Sequence, residues 1–260
     1  MSSSSLWSSG RYEAVAAQIA VIATEVVDAV ERRLRLHDAA LVDLACGTGN
    51  AALTAAARGA KVTAADITPE LVAIAKTRDA EDSVSWLTAD SSETSLPGGA
   101  YAAAVSNMGI IFVEPVRQVA EISRLLTPGG VIGFSAWSRC EDNPFLDPIV
   151  EVLGPPPPSD FTPDQWGDPD TIATRLSADF EEVEIERRVH AWRFDSTASA
   201  VHFVMHESPL HVTAFQRAGQ LSDRLEAAYE NTLSAHGDGH GGVHFDSPYV
   251  IVTAKRRLDR

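Results

Sequence analysis

Val42-Asp43-Leu44-Ala45-Cys46-Gly47-Thr48-Gly49-Asn50 decides how the rest of the chain is read. An apolar run from Ala39 to Ala45 leads into it and an Ala-rich stretch from Ala51 to Arg58 follows. The first reads as a short buried strand, the second as a helix. The join is built from small residues, so backbone N–H groups can approach a ligand there. Ligands on open α/β sheets bind at the carboxyl ends of strands, where this turn lies. Taken alone, the turn serves two cofactor classes. The dinucleotide pattern wants G-x-G-x-x-G, and here Gly47 and Gly49 are followed by Asn50, Ala51 and Ala52, so Ala52 stands in for the third glycine.

Working outward, Gly59 ends the helix and Lys61 to Ala65 is a second strand. Thr68-Pro69-Glu70 opens a helix to Arg78, with proline in its first turn. Val84 to Leu87 and Tyr101 to Ser106 are strands three and four. Val116 to Leu126 is a helix that ends at Thr127-Pro128-Gly129-Gly130, and Val131 to Trp137 is strand five. This alternation predicts βαβ units and a parallel sheet covered on both faces. Upstream, residues 1–10 are Ser-rich and read as loose apart from Leu6 and Trp7. Residues 12–35 read as one helix: Ala16, Ile19, Ala20, Ala23, Val26, Val27 and Val30 recur at helical spacing, and Arg32, Arg33 and Arg35 suit its negative end.

The second half changes character. Gly154-Pro155-Pro156-Pro157-Pro158 is a stiff loop. Phe180 to Phe194 alternates like a strand, residues 197–236 look helical with a break at Ser208-Pro209, and Gly241-Gly242 precedes a last strand, Val243 to Lys255. Two strands around a helical excursion suggest a lid. The expected organisation is a helical cap at 1–36, a cofactor domain at 37–194 and 242–260, and a helical lid insert at 195–241.

Asp66 ends strand two, 17 residues beyond Gly49, where a carboxylate can accept both hydroxyls of a ribose. It could equally cap the next helix, although Thr68 can do that and leave Asp66 to a ligand. Ile67 then lies against an adenine. Asp90, in Ala89-Asp90-Ser91 after strand three, can accept from an adenine amino group or simply shape a turn. Ser106-Asn107-Met108-Gly109 follows strand four and faces the same crevice.

Asp43-Leu-Ala-Cys-Gly-Thr-Gly49, Asp66 with Thr68-Pro69-Glu70-Leu71, Ala89-Asp90, and Ser123-Arg-Leu-Leu-Thr-Pro-Gly-Gly130 resemble, in order, the motifs of class I S-adenosylmethionine-dependent methyltransferases. More narrowly they resemble the small-molecule branch with the quinone-biosynthesis and bacterial secondary-metabolite enzymes. The resemblance covers Leu41 to Trp137. It implies a doubly wound, Rossmann-like α/β fold of seven mostly parallel strands, the last antiparallel, and S-adenosyl-L-methionine as cofactor with S-adenosyl-L-homocysteine as product. It implies that Ala45 and Gly47 contact the methionine part through the backbone, with Asp43, Cys46 and Gly49 also cofactor-binding. Asp66 would hold the ribose, Ile67 the adenine face, Asp90 and Ser91 the adenine edge, and Asn107, through its carbonyl, the amino group. Tyr12, in a segment that folds over the cofactor in related enzymes, would touch the carboxylate. Ala45 departs from the commonest first glycine, and Ala102 from an acidic residue at the start of strand four.

The rest of the sequence bears on the acceptor. A formal net charge of -15 disfavours nucleic acid as partner. From Glu141 to Glu182 there are 11 acidic residues against Arg175 alone. That stretch is either a solvated acidic face or a mouth that draws a cation, and a salt-dependent on-rate separates the two. Cys46 and Cys140 form neither a CxxC pair nor a zinc pattern, no signal peptide or spanning helix is read, and a cytoplasmic monomer or homodimer without membrane contact is expected. Trp7, Met108, Trp137, Asn143, Phe145 and Trp166 are expected at the acceptor, or as hydrophobic core. Six of the eight histidines lie beyond residue 200. His202 and His206, four apart with His211 nearby, are candidates for a general base. His236, His240 and His244 surround a Gly-rich loop without fixed metal geometry, and no metal is expected. The leading expectation is methyl transfer to O, N or C of a small molecule, chiefly by positioning. The alternatives are a nicotinamide-dependent oxidoreductase, or a methyltransferase-like protein that binds the cofactor without transferring methyl.

Overall fold

The structure is a computed structural model and describes residues 6–258. The start of the Ser-rich segment, 1–5, and the last two residues lie outside the described residues.

Short apolar runs punctuated by glycine and proline become strands and helices in alternation. In chain order they are α1 (Tyr12–Gln18), α2 (Ala20–Glu31), β1 (Ala40–Leu44), α3 (Asn50–Ala57), β2 (Lys61–Asp66), α4 (Pro69–Arg78), β3 (Val84–Thr88), β4 (Tyr101–Asn107), α5 (Pro115–Leu125) and β5 (Leu126–Trp137). Then come α6 (Asp147–Leu153), α7 (Pro169–Leu176), β6 (Phe180–Phe194), α8 (Thr197–His202), α9 (Pro209–Ala218), α10 (Ser222–Ala235) and β7 (Val243–Arg256). The seven strands form one sheet in the order β3-β2-β1-β4-β5-β7-β6. β1 pairs in parallel with β2 and with β4, and β5 pairs antiparallel with β7, Trp137 opposite Tyr249. The chain therefore reverses its winding at β1, and the carboxyl end of β1 is the topological switch point. Leu41, Val42, Ala64, Ala65, Ala103, Ala104 and Val105 are fully buried, as central strands covered on both faces must be.

Some elements depart from the sequence reading. The helix expected over 12–35 is two helices. Ile19 leaves helical geometry (φ −96°, ψ 12°), and its carbonyl is approached by Asn107 Nδ2 at 3.5 Å, so burial and a tertiary contact override an unbroken pattern. Thr127 to Gly130, read as a turn, already belongs to β5, where Gly129 supplies φ +78°. α6 and α7 lie in the acidic stretch, each opening with a proline in its first turn.

The chain divides into two compact units. One comprises 19–139, 161–188 and 249–258 and contains the parallel strands. The other comprises 6–18, 140–160 and 189–248, which is larger than the 195–241 insert. Its core gathers around Phe145, whose ring meets Trp192 at 4.8 Å, His211 at 4.9 Å and Phe245 at 4.9 Å. The Phe145 carbonyl accepts from Tyr229 Oη at 2.8 Å. Within this unit α8 runs into a π-helical turn, Phe203–Glu207, closed by Ser208 N–H on the Phe203 carbonyl at 2.9 Å. The Glu207 carbonyl accepts from Arg11 N at 2.9 Å, and Gly10 (φ +71°) passes so close that a Cβ would lie 2.7 Å from that oxygen. No helix among the described residues is long and apolar enough to cross a membrane.

Candidate functional site

The carboxyl ends of β1, β2, β3 and β4 carry Asp43, Ala45 to Gly49, Asp66, Ile67, Asp90, Ser91 and Asn107, all within the sheet unit. After Leu44 the backbone turns left-handed at Ala45 (φ 53°), Gly47 (φ 55°) and Gly49 (φ 84°). Glycine takes this conformation freely, whereas alanine is strained in it. Gly109 packs on the back of this bend: a Cβ there would sit 2.5 Å from the Ala45 carbonyl oxygen.

Asp66, 6% exposed, binds the turn to the second strand end. Its Oδ2 accepts from Gly47 N at 2.8 Å and its Oδ1 from Thr68 N at 2.9 Å. The Thr68 side chain makes no capping bond. The division of labour expected from the sequence is thus changed: Asp66 accepts the N–H of Thr68, the residue that precedes α4, while the Thr68 hydroxyl does not cap the helix. Burial raises the Asp66 pKa, against the two backbone hydrogen bonds that lower it.

Asp43 lies beneath the turn, 1% exposed. Its Oδ2 accepts from Ala52 N at 2.9 Å, and its Oδ1 is buried without a partner among the described residues. Burial pushes this carboxyl up to about 8, with Asp66 adding to the rise. The Cys46 thiol is likewise pushed well up by burial and the two carboxylates, so it stays protonated and unreactive.

Asp90 Oδ1 accepts from Ser92 N at 2.8 Å and Ser92 Oγ at 2.7 Å, an Asx turn after β3. Ser91 is clamped by Gln118: its hydroxyl donates to Gln118 Oε1 at 2.8 Å and its carbonyl accepts from Gln118 Nε2 at 3.0 Å. At the end of β4, Asn107 Oδ1 accepts from Ser135 Oγ at 2.8 Å, which in turn accepts from Met108 N at 3.0 Å. Met108 is buried at φ 55°. Ser106 Oγ donates to the Leu44 carbonyl at 2.7 Å and accepts from Ile110 N at 3.1 Å, tying β4 to β1.

Two residues that the sequence reading passed over hold the turn from outside. Arg78 Nη1 donates to the Thr48 carbonyl (2.6 Å), Thr48 Oγ1 (3.1 Å) and Asn50 Oδ1 (2.9 Å). Trp86 packs where a Gly49 side chain would go: a Cβ would lie 2.4 Å from Trp86 Cη2.

The aromatic residues expected at the acceptor separate. Trp166 is 0% exposed, edge-on to Phe134 at 5.3 Å with Arg175 over its ring at 4.6 Å, so it is core of the sheet unit and not pocket lining. Trp137 sits at the end of β5, edge-on to Tyr249 at 6.0 Å. Trp7, Tyr12, Asn143 and Phe145 belong to the other unit. There Trp7 and Tyr12 meet edge-on at 6.0 Å, and Asn143 Oδ1 accepts from the backbone at the start of α6. His202 and His206 lie in that unit, exposed, their rings 4.8 Å apart. His211 is buried: Ser208 Oγ stands 2.6 Å from Nδ1 and the Phe145 carbonyl 3.1 Å from Nε2. Both nitrogens are taken, and burial lowers its pKa to about 4. Among the described residues no three His, Cys, Asp or Glu side chains converge as a metal site.

Residues 41–130 match the family described as a methyltransferase domain. An uncharacterized protein of Mycobacterium tuberculosis is 29% identical over 230 residues, covering 84% of this chain and 81% of that one. An uncharacterized methyltransferase of the same organism is 36% identical over 93 residues, 35% of this chain and 47% of that protein. The fold is similar to that of a Haemonchus contortus phosphoethanolamine N-methyltransferase solved with S-adenosylhomocysteine and phosphomonomethylethanolamine (TM-score 0.56, 15% identity, 90% of this chain). The chain spans about half the length of that enzyme, 52%. The ordered motifs lie within the matched stretch and the strand order agrees with it, and residues 41–130 form a methyltransferase domain.

Proposed function

We propose that the protein methylates O, N or C of a small molecule, and does so chiefly by positioning its reactants. The observation that supports this best is the bond between Gly47 N and Asp66, which ties the turn after β1 to the end of β2 at the switch point. S-adenosylmethionine, when bound, supplies a methyl already activated on a sulfonium. What remains for the chain is to orient the donor and exclude water. In this reading Ala45, Cys46, Gly47 and Gly49 present backbone to the methionine part over Asp43. Asp66 accepts from the ribose with the lone pairs that Gly47 and Thr68 leave, and Ile67 packs on the adenine. Asp90 takes the adenine amino group on Oδ2, and Ser91, its hydroxyl and carbonyl held by Gln118, has its backbone N–H to offer. Asn107 contributes its main-chain carbonyl, since Ser135 holds its side chain. Met108 and Trp137, at the ends of β4 and β5, face the acceptor. Where the acceptor must lose a proton, His202 and His206 are the candidate bases. His211 is not one, because a base needs a nitrogen free to take the proton.

Calorimetry tests the reading. S-adenosylhomocysteine is expected to bind and NADH not to. Asp66→Asn puts an amide N–H against one of two backbone donors and should weaken S-adenosylhomocysteine about tenfold or more. Failure of the wild type to bind S-adenosylhomocysteine would sink the proposal. Rates that stay equal across pH 6–9 for wild type, His202→Ala and His206→Ala would remove histidine from the mechanism.

A further inference from the structure

The end of α4 reaches in two directions. Arg78, its last residue, brings one nitrogen to three acceptors at Thr48 and Asn50, 28 to 30 residues back in the chain. Asp79, the next residue, holds β3: its Oδ1 accepts from Ser83 N and Oγ, and its Oδ2 from Val84 N and from Trp86 Nε1 at 3.1 Å. The Trp86 ring thereby fixed lies against the Gly49 α-carbon, and Ala75, one turn earlier on α4, closes the same contact at 3.4 Å from where a Gly49 Cβ would be. Thr48-Gly49-Asn50 is therefore gripped by a cation on one side and an indole on the other. Both grips come from α4 and β3, and both act on the segment where the turn becomes α3.

A cation at a helix start is unfavourable for the helix dipole. Arg78 stands at the start of α3, so helix electrostatics do not account for its placement. What it does satisfy is a carbonyl, a hydroxyl and an amide oxygen that converge on one point. We propose that Arg78 and Trp86 are positioning residues for the methyl donor, fixing the turn at Thr48–Asn50 and thereby the affinity for the cofactor, without touching it. The inference rests on the cofactor reading given above.

The three acceptors meet at a single nitrogen, so an ammonium with three N–H groups can replace the guanidinium there, whereas a thioether cannot. The experiment is a titration of S-adenosylhomocysteine into wild type, Arg78→Lys, Arg78→Met and Trp86→Leu, with the unfolding temperature of each protein measured alone. Hydrogen exchange of residues 46–52 and of β5 is followed in the same unliganded proteins. Arg78→Met and Trp86→Leu should each raise the dissociation constant about tenfold. Both should speed exchange in 46–52 and leave β5 unchanged. Arg78→Lys should stay within about threefold of wild type, a rescue that simple filling of space would not give. If Arg78→Met does not fold, Arg78→Gln is read in its place. Wild-type affinity and exchange in Arg78→Met, or a loss in Arg78→Lys equal to that in Arg78→Met, overturns the proposal. Absence of binding by the wild type would instead overturn the cofactor reading.

Discussion

The two units bury ionisable groups in opposite ways. In the sheet unit Asp43 sits under the turn with one oxygen bonded to Ala52 N and the other without a partner among the described residues. In the other unit His211 sits in an aromatic core with both nitrogens partnered. Burial disfavours the charged form of each, so the acid's pKa rises and the base's falls. A satisfied neutral histidine is a packing element. A half-satisfied acid beneath the turn after β1 is a cost that packing does not explain, and sites retain such groups more often than cores do.

The difference is clearest in the pH dependence of stability. Asp43 goes from 3.8 unfolded to about 8 folded. The folded state holds the extra proton between these values. Its contribution is therefore fully present below about pH 4 and is lost as pH rises to about 8. Four units correspond to about 5 kcal/mol, the largest effect expected here. Asp43→Asn removes the titration and gives the unpartnered site a neutral amide. Urea unfolding at pH 5, 7 and 9 should show the variant gaining on wild type as pH rises. Parallel curves for the two proteins would mean that Asp43 is ionised in the fold and that the contrast with His211 is false.

His211 runs the other way. Its pKa falls from 6.5 to about 4, so the unfolded state takes the proton first, and stability present above pH 6.5 is lost as pH falls towards 4. The loss is about 3 kcal/mol. His211→Gln keeps a donor and an acceptor but cannot titrate there, and its stability should be flat across that window once Asp and Glu titration, common to both proteins, is subtracted. An unchanged slope in the variant would place the acid sensitivity elsewhere.

The units also differ in how far their sequence announced them. The turn after β1 and the strand ends beside it were legible because each piece is local: an apolar run, a turn of small residues, an acid at the end of the next strand. Asp43, Gly47, Asp66 and Asp90 could be picked by order and spacing. Arg78 and Trp86 could not, since their partners lie 28 to 37 residues away and no periodicity marks the contact. Trp166 shows the opposite failure. An aromatic residue after β5 reads equally as pocket or core, and only the burial against Phe134 decides. The second unit is assembled from three separate segments, 6–18, 140–160 and 189–248, so its extent follows from tertiary contacts that no window of sequence contains. The π turn at Phe203–Glu207 was hidden for the same reason: one of its carbonyls is claimed by Arg11 N, almost two hundred residues earlier.

The smallest of these effects concerns the first departure noticed in the sequence. Ala45 stands where related motifs carry glycine, and its backbone is left-handed at φ 53°. A left-handed alanine costs roughly 1–2 kcal/mol, while glycine costs roughly 0.5–1 kcal/mol in unfolded-chain entropy. Ala45→Gly should therefore raise stability by about 0.5–1 kcal/mol, read as a small rise in unfolding temperature. The same substitution tests what the strain is for. The Ala45 methyl lies close to Gly109: a Cβ on that glycine would come within 2.7 Å of it. If the methyl only fills that space, the glycine variant binds S-adenosylhomocysteine as wild type does and gains stability. If it holds the bend rigid, the variant gains stability but binds more weakly, because a looser turn must be ordered by the ligand. A variant less stable than wild type would show that the methyl's packing on Gly109 outweighs its backbone strain, and the turn would then join the aromatic core around Phe145 as a region held by packing.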